Sequence, residues 1–349
     1  MPQPRLPLPR GPLSIAVLDA LATGDAVVDP DGLPIATVGD PVGDDDFQLA
    51  LYVCYELHYR GFDGVDAERE WDPSVLALRA ALEARFVEAL ESMVPVDQHL
   101  RQVDLRSMID AFDGPSLSTH LAERGSLGQF AEFLVHRSAY QLKEADPHTW
   151  GIPRLAGRSK SAMVEIQMDE YGDGEPGASH AELFADTLES AGLDATYGRY
   201  LDRLPGITLA TTNLISLFGL HRRFLPSLLG HLAVFEMTSV TPMGRYARAA
   251  RRFGFGDHGA RFYEVHVEAD ALHEVVAEEH LVGSFVVDQP DAAPLVAWGA
   301  AVLMAVEDRF ARHLLDSWSD GISSLRPGDN DRLAGMMRHP ATYPSRAVA

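Results

Sequence analysis

The chain has 349 residues, 46% of them hydrophobic and 23% charged, which suits one large globular domain or a core with an extension rather than a disordered chain. Lys and Arg number 29 against 51 Asp and Glu, a formal charge of −22, and such a field repels phosphate backbones and anionic membranes, so neither nucleic acid nor a lipid surface is expected as a partner. One cysteine, Cys54, excludes an internal disulfide, a cysteine-based zinc site and an iron–sulfur cluster.

Residues 1–12 carry five prolines and read as a flexible or extended arm. They lack the apolar stretch of a secretory signal, and no later apolar run reaches the roughly 20 residues of a membrane span, so a cytoplasmic protein is expected. Helical periodicity predicts helices near 13–23, 46–60, 73–93, 97–112 and 116–124. Residues 13–114 thus form a helical N-terminal extension, in which Glu56 and His58 fall about 200° apart and share no ligand face; packing or surface roles suit them.

A longer helix over 126–145 starts after Gly125 and ends at Ala145-Asp146-Pro147. Glu144 stands on its stripe of Phe130, Phe133 and Tyr140, facing packing rather than water. Arg137 shares that face and is its partner if Glu144 belongs to an ordinary buried ion pair. Glu132 and His136, one turn apart, lie on another face and read as a surface pair, with Glu132 a lesser substitute for Glu144.

Helices near 157–171 and 179–191 follow. Glu170 shares a face with Ser159, Met163 and Ile166, whereas Glu165 lies opposite. Gly172 can end the first helix and Ser179 can cap the second, which puts His180 in its first turn. An acidic helix end and a surface histidine are the plainer alternative. Helices near 206–221, 224–240 and 243–253 come next, and Glu236 sits on the face of Leu225, Leu229, Leu232 and Val240.

The segment 257–280 carries His266-Val-Glu-Ala-Asp270-Ala-Leu-His273. At 100° per residue these three side chains fall at about 0°, 40° and −20°, one narrow stripe shared with Phe262, Ala269 and Ala277. Glu264, Glu268 and Glu274 point elsewhere. Burying two imidazoles and a carboxylate without partners costs several kcal/mol, so a metal or a private hydrogen-bond network must compensate, unless the face is simply solvated. Ser284 to Val287 is the only short strand candidate, a helix over 290–318 follows, and residues 323–349 read as a loose tail. His148, His221 and His231 find no partner in the pattern, and His280 prolongs the metal stripe. The fold class is all-α, with the core over 115–322.

Four predicted helices therefore aim carboxylates or imidazoles inward. Three or four carboxylates with three histidines and no thiolate exceed the needs of one tetrahedral zinc, and suit a pair of iron or manganese ions in a bundle core. The Glu-x-x-His repeats of ferritin-like bundles are absent.

This distribution resembles the haem-oxygenase-like diiron oxidases and oxygenases, a family of iron-containing redox enzymes. Their pattern is a glutamate, a second glutamate some tens of residues on, a histidine close behind it, and then His-x-x-x-Asp-x-x-His. Here Glu170 follows Glu144 by 26 residues and His180 follows Glu170 by 10, and His266, Asp270 and His273 complete the set. The resemblance covers about 115–322 and leaves the extension without a role. It implies a haem-oxygenase-like helical bundle that binds two iron ions (Fe2+/Fe3+) and uses O2 as co-substrate, with those six residues catalytic. Members that oxygenate amine nitrogen add one carboxylate from the preceding helix. Glu236, 30 residues before His266, matches that place as a seventh ligand and tilts the reading towards N-oxygenation of a small amine- or amino-acid-like substrate.

Oxidative C–C cleavage or desaturation of an amino or fatty acid stays open, as does a non-catalytic iron-binding helical protein. Haem binding finds no axial histidine, and a metal-free enzyme of the related thiaminase-like fold would need Cys54 as its nucleophile. A homodimer and an external electron donor remain open as partners.

Overall fold

The computed structural model describes residues 3–23, 28–100 and 102–328, apart from the side chains of Asp270 and Ala271. Every regular element among them is helical, as expected from the periodicity. The N-terminal part contains α1 (Pro12–Thr23), α2 (Asp45–Glu56), α3 (Pro73–Met93), α4 (Leu105–Asp110) and α5 (Leu117–Glu123). Then come α6 (Leu127–Gln141), the one-turn α7 (Asp146–Thr149), α8 (Gly157–Glu170), α9 (His180–Ser190) and α10 (Gly206–Leu220). The long α11 (Leu225–Arg252), α12 (Gly256–Val275), the short α13 (Ser284–Asp288) and α14 (Ala293–Ser319) complete the chain. Between α12 and α13 the backbone is π-helical over Val276–Gly283.

Local chemistry sets many boundaries. Asp44, Asp72 and Asp104 accept hydrogen bonds from the first-turn amides of α2, α3 and α4, and Ser126 forms a reciprocal capping box with Gln129 at α6. Asp104 explains why the helix expected over 97–112 shrinks to α4: it starts a new helix there, while Asp97 turns the chain earlier by accepting from His99 N. The break expected after residue 240 does not occur. α11 runs through Pro242, because packing against α12 and α14 holds both halves in line despite the missing N–H. The strand candidate Ser284–Val287 is α13, a helical continuation of the π segment.

α11 lies between α12 and α14, with α9 against α12, α8 against the π segment, and α10 between α2 and α14. Buried apolar residues from α1 to α14 form one continuous cluster, so Phe47, Leu51 and Phe86 of the N-terminal part share a core with Phe130, Leu214 and Phe310. The proline-rich arm is extended and tied down: Asp63 N donates to Pro4 O at 2.8 Å and Leu8 N to Asp202 Oδ1 at 2.8 Å. At the other end Glu132 and His136 are not a surface pair. Both are buried; Glu132 accepts from Trp318 Nε1 at 2.8 Å and from Ser324 N at 3.0 Å, and His136 Nε2 meets Ser324 Oγ at 2.9 Å. The start of the expected loose tail is therefore anchored, and residues 329–349 lie outside the described residues.

The α11–α14 crossing brings backbones together. A Cβ on Gly230 would collide with the Val296 carbonyl, and one on Gly299 with that of Ser227. Gly230→Ala is expected to destabilise the protein by about 1–3 kcal/mol or more, read as a lower urea midpoint; an unchanged midpoint would show that the helices can separate freely.

Candidate metal centre

Glu170 is the last residue of α8, and the turn behind it is built by glycine: Gly172 has φ +66°, in the left-handed region. The chain returns through Ser179, whose hydroxyl and Glu182 form a capping box, and His180 opens α9. His180 Nδ1 then lies 2.9 Å from Glu170 Oε2, both side chains buried. The short glycine-rich connection thus brings two ligand-type groups together from two helices.

Glu144 arrives differently. α6 ends at Gln141, not near 145, and 142–145 form tightened turns, with Lys143 N donating to Tyr140 O at 2.9 Å and Asp146 N to Lys143 O at 3.0 Å. Arg137 is not its partner, since that guanidinium makes two bonds to Glu307 at 2.9 and 2.6 Å. Instead His266 Nε2 stands 3.7 Å from Glu144 Oε1. His266 Nδ1 donates to the Phe262 carbonyl at 2.7 Å, which leaves Nε2 as the lone-pair nitrogen facing Glu144. Its ring centroid is 4.1 Å from that of His180.

Glu144, Glu170, His180 and His266 each offer one ligand atom, all within 4.8 Å of one another and all buried. Glu144 Oε2 is buried and takes no hydrogen bond from any described residue. Burial holds the Glu144 carboxyl above its ordinary range, with Glu170 adding to the effect and His266 opposing it. Two carboxylates and two imidazoles without a thiolate form an oxygen–nitrogen donor set that fits iron or manganese, and a cation would offset the cost of gathering them away from water.

His273 and Glu236 lie beside this group. His273 Nδ1 is 3.3 Å from Glu236 Oε2, and His273 Nε2 is 2.6 Å from Asp169 Oδ2. Glu236, Glu144, Glu170 and His266 line one cavity of about 40 Å³, together with Tyr140, His148, Leu232, Phe235, Ser239 and Met243. Asp270 lies between His266 and His273 on α12, and its side chain is outside the described residues. The helical-face argument holds for the neighbours: Phe262, His266, His273 and Ala277 are buried, while Glu264, Glu268 and Glu274 pair outward with Arg251, Arg261 and Arg106. The π segment ends that stripe, so His280 is only half-buried and stands apart from the clustered donor groups.

A family model described as "iron-containing redox enzyme" matches residues 131–308. The chain belongs to that family. The matched stretch runs from α6 into α14 and contains all seven expected ligand positions. This iron-containing redox enzyme is also similar to a nitrosourea synthase from Streptomyces achromogenes subsp. streptozoticus, at 28% identity over 151 residues. That similarity covers 43% of this chain and 32% of the relative, so the chain matches about a third of the relative's length.

Other groups in the iron-containing redox enzyme sort by burial. Burial pushes the Cys54 thiol up to about 12, which disables it as a nucleophile. His221 does have a partner, Glu83, at 2.8 Å. His148 and His231 face each other with centroids 5.6 Å apart; burial pushes His148 down to about 3 and His231 down as well, which disfavours a charge on either ring. Sequence periodicity missed His148 at the cavity because it follows the turn that ends α6. Among the described residues no helix is long and apolar enough to cross a membrane.

Proposed function

We infer that this chain is a non-haem diiron oxygenase or oxidase that oxidises a small amine- or amino-acid-like substrate, by oxygenation at nitrogen. The observation that carries the reading is the buried cluster of Glu144, Glu170, His180 and His266, drawn from four separate segments into ligand distance. These four residues would hold one iron, and Glu236, His273 and Asp270 would complete the site for a second. The two ferrous ions would supply electrons for the reduction of O2.

The chain's own residues supply binding and orientation. A pocket of about 610 Å³ shares Glu144 and Glu170 with the cluster and extends to the exposed Glu182, Glu189 and Asp194. That volume suits a small molecule, and the acidic lining attracts a cationic amine. Its two cations are already engaged: Lys143 is bound to Glu56 and Arg60 lies over the Tyr197 ring. The name of the nitrosourea synthase relative points the same way, because a nitrosourea carries an oxidised nitrogen.

Anaerobic loading with ferrous ion is expected to give about two irons per chain. Exposure to O2 with optical monitoring should then show a transient whose decay quickens with one member of a panel of amines and amino acids. A single tightly held zinc would overturn the diiron reading. Iron uptake with no substrate-dependent decay across the panel would favour an iron-binding protein without turnover.

A further inference from the structure

We propose that Asp169 is a positioning residue for His273, fixing its tautomer and presenting Nδ1 to the metal centre; this rests on the diiron reading above. A carboxylate can only accept, so the 2.6 Å contact between His273 Nε2 and Asp169 Oδ2 places the ring proton on Nε2. In the neutral ring Nδ1 then carries the lone pair, and Nδ1 is the nitrogen 3.3 Å from Glu236 Oε2. His273 is fully buried between two carboxyl groups, and a cation held beside Nδ1 would offset the cost of that arrangement.

The two buried histidines of α12 are therefore set in opposite senses. His266 gives its Nδ1–H to a backbone carbonyl and turns Nε2 towards Glu144, whereas His273 gives Nε2–H to a carboxylate and turns Nδ1 towards Glu236. A carboxylate partner orients a ligating imidazole and raises its basicity more than a carbonyl does. Asp169 and Glu170 are consecutive residues at the end of α8, packed against the π segment that follows His273. One helix end thus directs Glu170 to His180 and Asp169 to His273.

The test is an anaerobic titration of wild type, Asp169→Ala, Asp169→Asn and Asp169→Glu with Co2+ and Fe2+, read by calorimetry and Co2+ optical bands. The thermal midpoint of each metal-free protein is recorded alongside. Asp169→Ala is expected to weaken one of two equivalents by roughly 10- to 100-fold, with the other equivalent and the metal-free midpoint near wild type and with rescue by Asp169→Glu. Asp169→Asn, isosteric and uncharged, should weaken it less and serves if the alanine variant does not fold. Wild-type affinity at both equivalents in Asp169→Ala overturns the proposal, as does a fall in both affinities that tracks a lower metal-free midpoint. A wild type that binds only one ion overturns the diiron reading instead, and Asp169 is then judged by whether its loss weakens that ion.

Discussion

His266→Ala is expected to strip iron from the centre and to lower iron-dependent O2 consumption by at least about 100-fold, beyond the effect of losing a supporting partner. The His266 ring is held at Nδ1 by Phe262 O, which aims Nε2 at Glu144, and it packs on His180. No neighbouring side chain can supply the missing nitrogen, since His180 already faces Glu170 and His273 already faces Asp169 and Glu236, while Phe262 and Ala277 on that face offer no donor atom. Asp270→Ala, four residues along the same helix, should behave alike. Glu268→Ala is the control, because Glu268 is exposed and pairs with Arg261 at 3.3 Å; it should keep iron content and O2 consumption. Iron per chain after anaerobic loading and an oxygen electrode measure both quantities. Loss of iron in Glu268→Ala, or its retention in His266→Ala, would show that the ligand face of α12 has been misassigned.

Glu56→Ala should cost about 3–5 kcal/mol of stability, the penalty of leaving a buried charge without its partner. Lys143 Nζ lies 2.7 Å from Glu56 Oε2, with side-chain exposures of 1% and 0%, so neither group can turn to water. Tyr197 donates to both Glu56 oxygens at 2.9 and 2.8 Å, and the Lys143 ammonium sits 4.1 Å from the Tyr59 ring centroid. The pair joins α2 to the turn that carries Glu144, so iron uptake should also weaken in this variant. Glu56→Leu combined with Lys143→Met removes both charges and should recover most of the loss, leaving the Tyr197 hydroxyl and the Arg60 amide without that acceptor. Urea unfolding of the three proteins decides the matter: a double variant as unstable as Glu56→Ala would mean that burial of the charge is not the cause.

The amino-acid pattern alone set the all-helical class, because apolar spacing near 3.6 residues recurs along the chain and alternation does not. It also determined the histidine stripe of α12, where an offset of seven residues puts His266 and His273 on one buried face, and the Gly172–Ser179 turn that joins Glu170 to His180. These are local matters of helical geometry and capping. Pairings between distant segments were decided only by tertiary packing. Glu132 and His136 have a surface spacing, yet Ser324 and Trp318 close over them. Glu56 finds Lys143 across 87 residues, which makes the N-terminal part a support of the Glu144 turn. Prolines mark neither helix end where the periodicity put it: α6 stops at Gln141, ahead of Pro147, so Glu144 leaves the helix, while Pro242 fails to break α11 because helices on two sides hold it. The π segment after His273, and the reach of Asp169 to that ring, follow from how α8 packs there; spacing within one stretch of sequence carries no record of a neighbour from another helix.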